Sequence, residues 1–193
     1  MDINQIKLLR DQMGASVSDC KDCLEKAKGD FNKAVELLRK KGAEIALKKS
    51  GRETDEGTIG SYLHSNGKLA SLVIVKCETD FVAKNDEFQN LSRDLAMQVA
   101  AMNPLYKSQK EVPVEVKEKE IGIQREKLRQ EGKPENMVDR ILEGKLEKFY
   151  SQVCLFQQPF IKDDKKTIDE LIKERIQKLG ENIEVGEFVR LEL

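Results

Sequence analysis

Apolar positions over residues 1–42 recur at intervals of three and four, the spacing of helices that bury one face. Three short helices are predicted from this pattern. The second begins at Ser16, which has an acidic residue three positions later, and the third runs from an N-cap at Asp30 to a terminal Gly42. We therefore expect a small three-helix N-terminal domain, followed over residues 43–56 by a basic linker that starts helical.

Beyond the linker the pattern changes to the alternation of β-strands. Two alternating runs flank the pair Asn66-Gly67, which tolerates the positive φ angles of a type I′ turn, so residues 58–77 are predicted to form a β-hairpin. A last alternating run, residues 183–193, predicts a third strand beside the hairpin, with Gly186 as a bulge.

Helical periodicity fills the interval between these strands, residues 85–179. Helices are predicted to begin near residues 85, 113, 135 and 167, with residues 157–160 as a loop. The second of these helices is highly charged and contains Gly122, so we expect it to be exposed and less stable. The predicted fold class is α+β, in which residues 57–193 form a core with a three-stranded antiparallel sheet packed on helices.

Composition narrows the range of partners. The 34 Lys and Arg residues are balanced by 35 Asp and Glu, and a net charge of -1 argues against nucleic acid as a direct partner. No apolar run approaches the roughly 20 residues needed to cross a bilayer, so no membrane association is expected. The first four residues lack the basic and then apolar layout of a signal peptide, and a cytoplasmic protein is therefore expected.

Candidate groups for covalent or metal chemistry are few. The one histidine, His64, provides neither a catalytic triad nor a histidine pair for a metal. Cys20 and Cys23 form a C-x-x-C pair without the second pair that a zinc site needs, and we interpret them as neighbours on a helix face, with metal or redox chemistry as the less favoured alternative. No phosphate-binding loop is present. The sequence predicts binding without catalytic residues, metal ligands, a cofactor or direct nucleotide contact.

The segment from Cys77 to Asn85 follows a buried strand and opens a helical pattern. Asp80 and Phe81 should therefore lie at an exposed corner between strand and helix. The alternative interpretation is that Thr79 caps the helix while Phe81 packs back onto the core of its own chain. The local pattern leaves both interpretations open.

Three separated segments resemble the elongation factor Ts family, the guanine-nucleotide exchange factors of elongation factor Tu. These segments are Leu9-Arg10 with Gly14–Lys21, then Cys77–Lys84, and finally Gly132–Phe160. Their order and spacing agree along almost the whole chain, whose length corresponds to the short form of the family. The resemblance also implies that the N-terminal domain is similar to a ubiquitin-associated bundle.

The family's exchange mechanism can be carried over to the corner segment. The resemblance implies that Thr79, Asp80, Phe81 and Val82 disturb the Mg²⁺ site of the partner. Phe81 would act as a wedge beside that site without any of these residues ligating the ion. His64 resembles a contact on the phosphate-binding side, made either within one chain or from a second copy.

Contacts with the G domain of elongation factor Tu are implied for Arg10, Val17 and Ser18 of the N-terminal domain, with Lys49 nearby. Val17 and Ser18 stand where family members usually have bulkier residues, and Lys76 stands where a different pattern is common. We expect a smaller apolar contact from this domain as a result.

Two alternative functions remain open from the sequence, and one oligomeric state is expected. The chain could be an adaptor or a nascent-chain or ribosome-binding protein without exchange activity, because its bundle resembles ubiquitin-associated domains. It could also serve as a structural subunit of a larger complex. A three-stranded sheet leaves edges to cover, and short family members can pair through the sheet, so a homodimer is expected.

Overall fold

The computed structural model describes residues 3–193, and for residues 135 and 136 it describes the backbone only. Met1 and Asp2, with which the predicted N-terminal domain begins, lie outside the described residues. The α-helices are α1 Ile3–Met13, α2 Val17–Lys26, α3 Phe31–Lys49, α4 Asp80–Ala83, α5 Asp86–Met102, α6 Val114–Gln130, α7 Glu135–Val153 and α8 Ile168–Leu179. The strands are β1 Glu56–Leu63, β2 Leu69–Cys77, β3 Pro159–Phe160, β4 Asp163–Thr167 and β5 Ile183–Glu192.

The chain forms two compact units. The first unit contains the described residues up to Ala100 together with Asp169–Leu193, and the second unit contains Ala101–Ile168. The first unit thus holds the N-terminal helices and the three-stranded sheet, while the second holds the two long helices α6 and α7. The finer predicted division at residues 42 and 56 stays a prediction.

Helices α1, α2 and α3 pack together as the sequence predicts. Ser16 Oγ accepts a 3.1 Å hydrogen bond from the Asp19 N–H, and Asp30 Oδ1 accepts one of 3.1 Å from the Lys33 N–H, so both predicted N-caps are confirmed. The buried side chains between the helices include Leu9, Met13, Cys20, Cys23, Leu24, Ala34 and Leu38. Cys20 and Cys23 are free thiols in this core, where they act as small apolar side chains.

The predicted end of α3 at Gly42 is wrong, because the helix continues to Lys49. Gly42 is buried within the helix, and a β-carbon at this position would come within 2.7 Å of Gln177 Oε1 on α8. The glycine therefore leaves room for the Gln177 side chain of α8 and does not end the helix in a left-handed conformation. Much of the predicted linker is helical.

The sheet has the strand order β1-β2-β5, and both pairings are antiparallel. Between the pairs Val73 with Phe188 and Val75 with Val185, two residues of β5 oppose one residue of β2. Gly186 lies in this bulge. The predicted three-stranded sheet, its third strand and its bulge are all confirmed, and with them the α+β class.

Helix α5 lies across the inner face of the sheet and is reached by one residue from each strand. The three contacted carbonyls of α5 are spaced by four residues, so they lie on one stripe of the helix. The contacts are Gly60 against the Ser92 carbonyl, a 2.6 Å hydrogen bond from Ser71 Oγ to the Ala96 carbonyl, and a 2.9 Å hydrogen bond from Arg190 Nε to the Ala100 carbonyl.

The outer face of the same sheet is apolar and exposed. Leu72 pairs with Val189, and Leu191 pairs with Ala70, so their side chains share one face across β2 and β5. Large exposed side chains on this face are Ile59, Leu63, Leu72, Val189 and Leu191. We call this set the outer sheet face.

The hairpin is confirmed, but its predicted type I′ turn is wrong. A type I′ turn needs positive φ at two successive residues, whereas at the turn only Gly67 has one, at 67°. The Gly67 N–H donates to the His64 carbonyl at 2.9 Å, and the Asn66 side chain accepts from the Lys68 N–H at 2.9 Å. A longer loop with a left-handed glycine after the turn therefore closes the hairpin.

In the second unit α6 packs against α7, and most of α6 is exposed, as predicted. One apolar cluster between the helices centres on Leu128, Val138 and Leu142. The loop predicted at residues 157–160 is wrong in part, because Pro159–Phe160 forms β3 and pairs with β4. A strand of two residues is too short to show an alternating pattern.

Candidate functional site

The corner between β2 and α4 presents an aromatic side chain to solvent. Thr79 is the N-cap of α4, and its Oγ1 accepts from the Val82 N–H at 3.4 Å. Phe81 is 82% exposed, whereas Ala83 on the same four-residue helix is buried. The alternative in which Phe81 packs onto its own core is therefore wrong, while its capping half is confirmed.

Charged groups flank Phe81 at this corner. Asp80 Oδ2 accepts a 2.7 Å hydrogen bond from Lys84 Nζ, and this bond holds the pKa of the Asp80 carboxyl below its ordinary value. Asp80 and Val82 are half-buried and Lys84 is exposed, so α4 shows an aromatic ring beside an ion pair. A surface of this kind suits a partner protein better than a small ligand.

The backbone ahead of Phe81 is held by a carboxylate from the far end of the chain. Glu181 lies in the turn between α8 and β5. Its Oε2 accepts from the Glu78 N–H at 3.1 Å and from the Thr79 N–H at 3.0 Å, and its Oε1 accepts from Thr79 Oγ1 at 2.6 Å. Burial raises the pKa of the Cys77 thiol to about 11, and this protonated thiol donates to the Thr79 carbonyl at 3.2 Å.

A second carboxylate bonds in the opposite direction. Glu78 Oε1 accepts from the Asn182 N–H at 2.6 Å, and this bond holds the pKa of Glu78 below its ordinary value. Arg52 Nη1 reaches the same carboxylate at 3.4 Å, and the Arg52 carbonyl accepts from Asn182 Nδ2 at 3.0 Å. Lys49 Nζ donates to the Gly180 carbonyl. The turn at residues 180–182 thus bonds to the corner, to the last residue of α3 and to the segment after that helix.

The predicted contact residues of the N-terminal domain lie on its surface. Val17 and Ser18 are exposed in the first turn of α2. Arg10 is exposed near the end of α1, where it forms an ion pair of 3.0 Å with Asp11 and lines a cleft together with Lys178 of α8. All three side chains are accessible to a partner.

His64 lies at the other end of the hairpin from the corner. The backbone N–H of His64 donates to the Leu69 carbonyl at 2.8 Å, and the ring Nδ1 of His64 is 3.0 Å from the Tyr62 hydroxyl. Strand β2 runs from Leu69 to Cys77, which at a rise of about 3.4 Å per residue separates the two ends by roughly 25 Å. The structure therefore does not bring His64 close to Phe81.

Among the predicted site residues outside the corner, Lys49 is linked to it indirectly, because it bonds to Gly180, which precedes the Glu181 that holds Thr79. No motif in the sequence indicates a role for Glu181 or Glu78. The hydrogen bonds of Glu181 to the corner span more than 100 residues, so no local spacing could indicate them. A Gly-Glu-Asn turn directly after a helix was the available signal.

Two other kinds of site are absent from the described residues 3–193. No group of three or more His, Cys, Asp or Glu side chains there could hold a metal ion. Neither does this described part contain a helix long and apolar enough to cross a membrane. All four cysteines are buried free thiols.

Comparison with known proteins covers nearly the entire chain. A model of the elongation factor Ts family matches residues 7–193. Elongation factor Ts of Thermotoga maritima is 54% identical over 188 residues, which are 97% of this chain and 94% of that protein. The protein of the same name from Nitratidesulfovibrio vulgaris is 50% identical over 97% of this chain and 94% of its own length. That of Carboxydothermus hydrogenoformans is 50% identical over 97% of this chain and 87% of its own length. With a family model that matches almost from end to end and relatives that share at least half of the aligned residues, the chain belongs to the elongation factor Ts family of translation factors.

Proposed function

We propose that this protein binds the G domain of elongation factor Tu in its GDP-bound state and promotes exchange of GDP for GTP. Phe81 carries the proposal, because an aromatic ring that is 82% exposed on a capped corner is available to insert into a partner. In the family's mechanism the residue at this position disturbs the partner's Mg²⁺ site. Membership of the family and the exposure of the ring support the same role here.

An exchange factor of this kind needs no covalent chemistry. It stabilises a partner conformation that holds GDP and Mg²⁺ poorly, and linkage requires that GDP weaken the binding of the factor by the same ratio. GTP then displaces the factor by mass action. We therefore infer that Thr79, Asp80, Phe81 and Val82 act by binding, in the cytoplasm where elongation takes place, and that the protein itself holds neither nucleotide nor metal.

Burial of one phenylalanine is large enough to matter for exchange. Moving such a side chain out of water contributes about 1.5 to 3 kcal/mol, which corresponds to a factor of roughly 10 to 150 in an equilibrium constant. The Phe81 ring is exposed in the free chain. Most of that free energy therefore remains available for the complex with the partner.

The test is the release of labelled GDP from elongation factor Tu, followed by stopped flow. Phe81→Ala should slow the accelerated release at least about threefold while leaving the fold intact, because even half of the roughly 1.5 kcal/mol that the ring contributes to the nucleotide-poor complex corresponds to about that factor. Leu105→Ala is the matched control, since Leu105 is an exposed leucine of the second unit. Release at the wild-type rate with Phe81→Ala would contradict the wedge, and no acceleration by the wild-type chain would contradict the exchange function.

The N-terminal domain supplies a second part of the proposed contact. Arg10, Val17 and Ser18 are accessible, which supports their role on the G domain. Lys49 is half-buried and donates to the Gly180 carbonyl, so its contribution to the partner would depend on breaking or sharing that bond.

We further propose that two copies pair through the outer sheet face. This face carries five exposed large apolar side chains, among them Leu72 at 47% and Leu191 at 66% exposure. A two-fold axis would place the face against itself and remove these side chains from water. The separation of roughly 25 Å between the two ends of the hairpin, estimated from the strand rise, favours delivery of His64 by the second copy.

The alternative of an adaptor or ribosome-binding protein without exchange activity is not favoured. It rested on the N-terminal bundle alone, whereas the similarity to elongation factor Ts of other organisms extends over 97% of the chain. That similarity includes the sheet, the corner and the second unit.

A further inference from the structure

The carboxylate of Glu181 is the acceptor for three donors in the two residues that precede α4. Its two oxygens take the N–H groups of Glu78 and Thr79 and the hydroxyl of Thr79, at 2.6 to 3.1 Å. Hydrogen bonds to an ionised acceptor are roughly twice as strong as those between neutral groups. Glu181 therefore fixes both the backbone and the cap of the corner.

We propose that Glu181 is a positioning residue for Phe81, holding the corner from Glu78 to Thr79 in the shape that projects the ring toward a partner. This inference rests on the proposed exchange function, in which Phe81 is the inserting side chain. Glu181 itself would act through Phe81 without contacting the nucleotide that is exchanged.

The Phe81 ring needs this support because few contacts of its own fix its orientation. Phe81 lies on a helix of only four residues, and a single helical turn is not stable by itself. Most of the ring faces solvent. Its direction is consequently set by the backbone of α4, which is set in turn by what holds the start of the helix.

The Thr79 hydroxyl joins Glu181 to that helix start. It donates its single proton to Glu181 Oε1 and accepts from the Val82 N–H with a lone pair. By taking the proton, Glu181 leaves the hydroxyl oriented as an acceptor for the helix. The cap of α4 and the carboxylate therefore act as one unit.

Glu181 is held in place by bonds that run the other way. The adjacent Asn182 donates its N–H to Glu78 Oε1 at 2.6 Å and its side-chain amide to the Arg52 carbonyl at 3.0 Å. Asn182 is buried and Glu181 is half-buried. Two reciprocal carboxylates thus fasten the turn and the corner to each other, which is the arrangement expected where a short segment must keep one conformation on the surface.

Fluorescence tests the positioning without any partner. The chain has no tryptophan, so Phe81→Trp introduces a single indole at the corner. In this background Glu181→Ala should lower the anisotropy of the indole, and Glu181→Gln, which keeps the shape and an acceptor but not the charge, should give an intermediate value. Glu187→Gln is the control, because Glu187 is an exposed glutamate of the neighbouring strand β5. Anisotropy at the parent value in both Glu181 variants would overturn the proposal.

In the chain that keeps the native Phe81, exchange kinetics distinguish a residue that positions the ring from one that contacts the partner directly. Glu181→Ala should lower the GDP release rate at saturating factor about threefold to tenfold, because three charge-assisted bonds are lost, while the half-saturating concentration changes less than about twofold. An effect on the half-saturating concentration alone would overturn the proposal. Thermal unfolding of each variant shows whether the fold is kept; if Glu181→Ala does not fold, Glu181→Gln carries the same comparison.

A double-mutant cycle adds a readout that a general loss of stability would not produce. Thr79→Val removes the hydroxyl at nearly constant volume, and its effect on release should be less than additive with that of Glu181→Ala, since both remove the same bond. Additive effects would overturn the proposal. If the wild-type chain did not accelerate GDP release, the proposed exchange function would be contradicted. The anisotropy result would still decide whether Glu181 positions the corner.

Discussion

At the scale of single residues, glycines show how far neighbours decide the role of a side chain. Gly67 has a φ of 67° at the hairpin turn, a conformation that its own backbone favours. Gly60 lies within a strand, where the absent β-carbon leaves room for the Ser92 carbonyl of α5, and Gly42 lies within a helix beside the end of the Gln177 side chain. The sequence alone does not distinguish these reasons.

Gly60→Ala should destabilise the first unit. The added β-carbon would overlap the Ser92 carbonyl oxygen of α5, which is backbone and cannot rotate away. We expect a loss of about 2 kcal/mol or more in the free energy of unfolding, the range of overpacked cores. Urea denaturation followed by circular dichroism measures it. A loss below about 0.5 kcal/mol, the usual range of surface substitutions, would show that α5 can move off the sheet at low cost.

At the scale of elements, α4 and α6 are stabilised in opposite ways. Helix α4 has four residues and depends on its cap at Thr79 and the bonds to Glu181. Helix α6 has 17 residues, of which Leu128 alone is buried, so its own helical propensity contributes more to its stability. Gly122 lies in the interior of α6 and weakens that propensity.

Gly122→Ala should therefore stabilise the second unit. Apart from its chain neighbours and the adjoining backbone of α6, no atom lies within 4 Å of the position of the added β-carbon, and the φ angle of Gly122 is not positive. The gain should be about 0.5 to 1 kcal/mol, which is the difference between Gly and Ala in a helix interior. Amide hydrogen exchange of α6 measures it directly, and this method avoids assuming that the two units unfold together. Slower exchange in α6 with unchanged exchange in the sheet is the expected result; faster exchange in α6 would contradict it.

At the scale of the whole molecule, the sheet has two apolar faces and the chain covers one of them. Helix α5 covers the inner face, while the outer sheet face stays exposed within the described chain. Monomeric soluble proteins rarely leave a contiguous apolar patch of this kind in water. The proposed homodimer follows from this arrangement.

Leu72→Lys should dissociate the proposed dimer. Leu72 lies on the central strand in the middle of the outer sheet face, so the substitution would place a charge at the centre of the interface while leaving the core untouched. Sedimentation velocity should change from the mass of two chains to that of one 22.0 kDa chain. Leu105→Lys, on an exposed leucine of the second unit, is the control. A wild-type chain that sediments as a monomer at high concentration would contradict the dimer.

Sequence pattern by itself determined the elements whose signals are local. The caps at Ser16 and Asp30, the hairpin, the bulge at Gly186 and the α+β class were all predicted correctly. Each depends on residues a few positions apart or on a repeat of two or about 3.6 residues. The resemblance to elongation factor Ts came from three separated segments in a fixed order.

Only the tertiary structure decided how these elements pack together and which side chains they bury, expose or join by hydrogen bonds. It showed that Gly42 lies inside α3 beside the Gln177 side chain instead of ending the helix, and that Phe81 faces solvent. It also brought Glu181 to Thr79 across 102 residues and left the outer sheet face uncovered. The physical reason is that capping and amphipathic periodicity act within a few residues along the chain, whereas burial, close approach and long-range hydrogen bonds depend on which distant segments the fold places side by side.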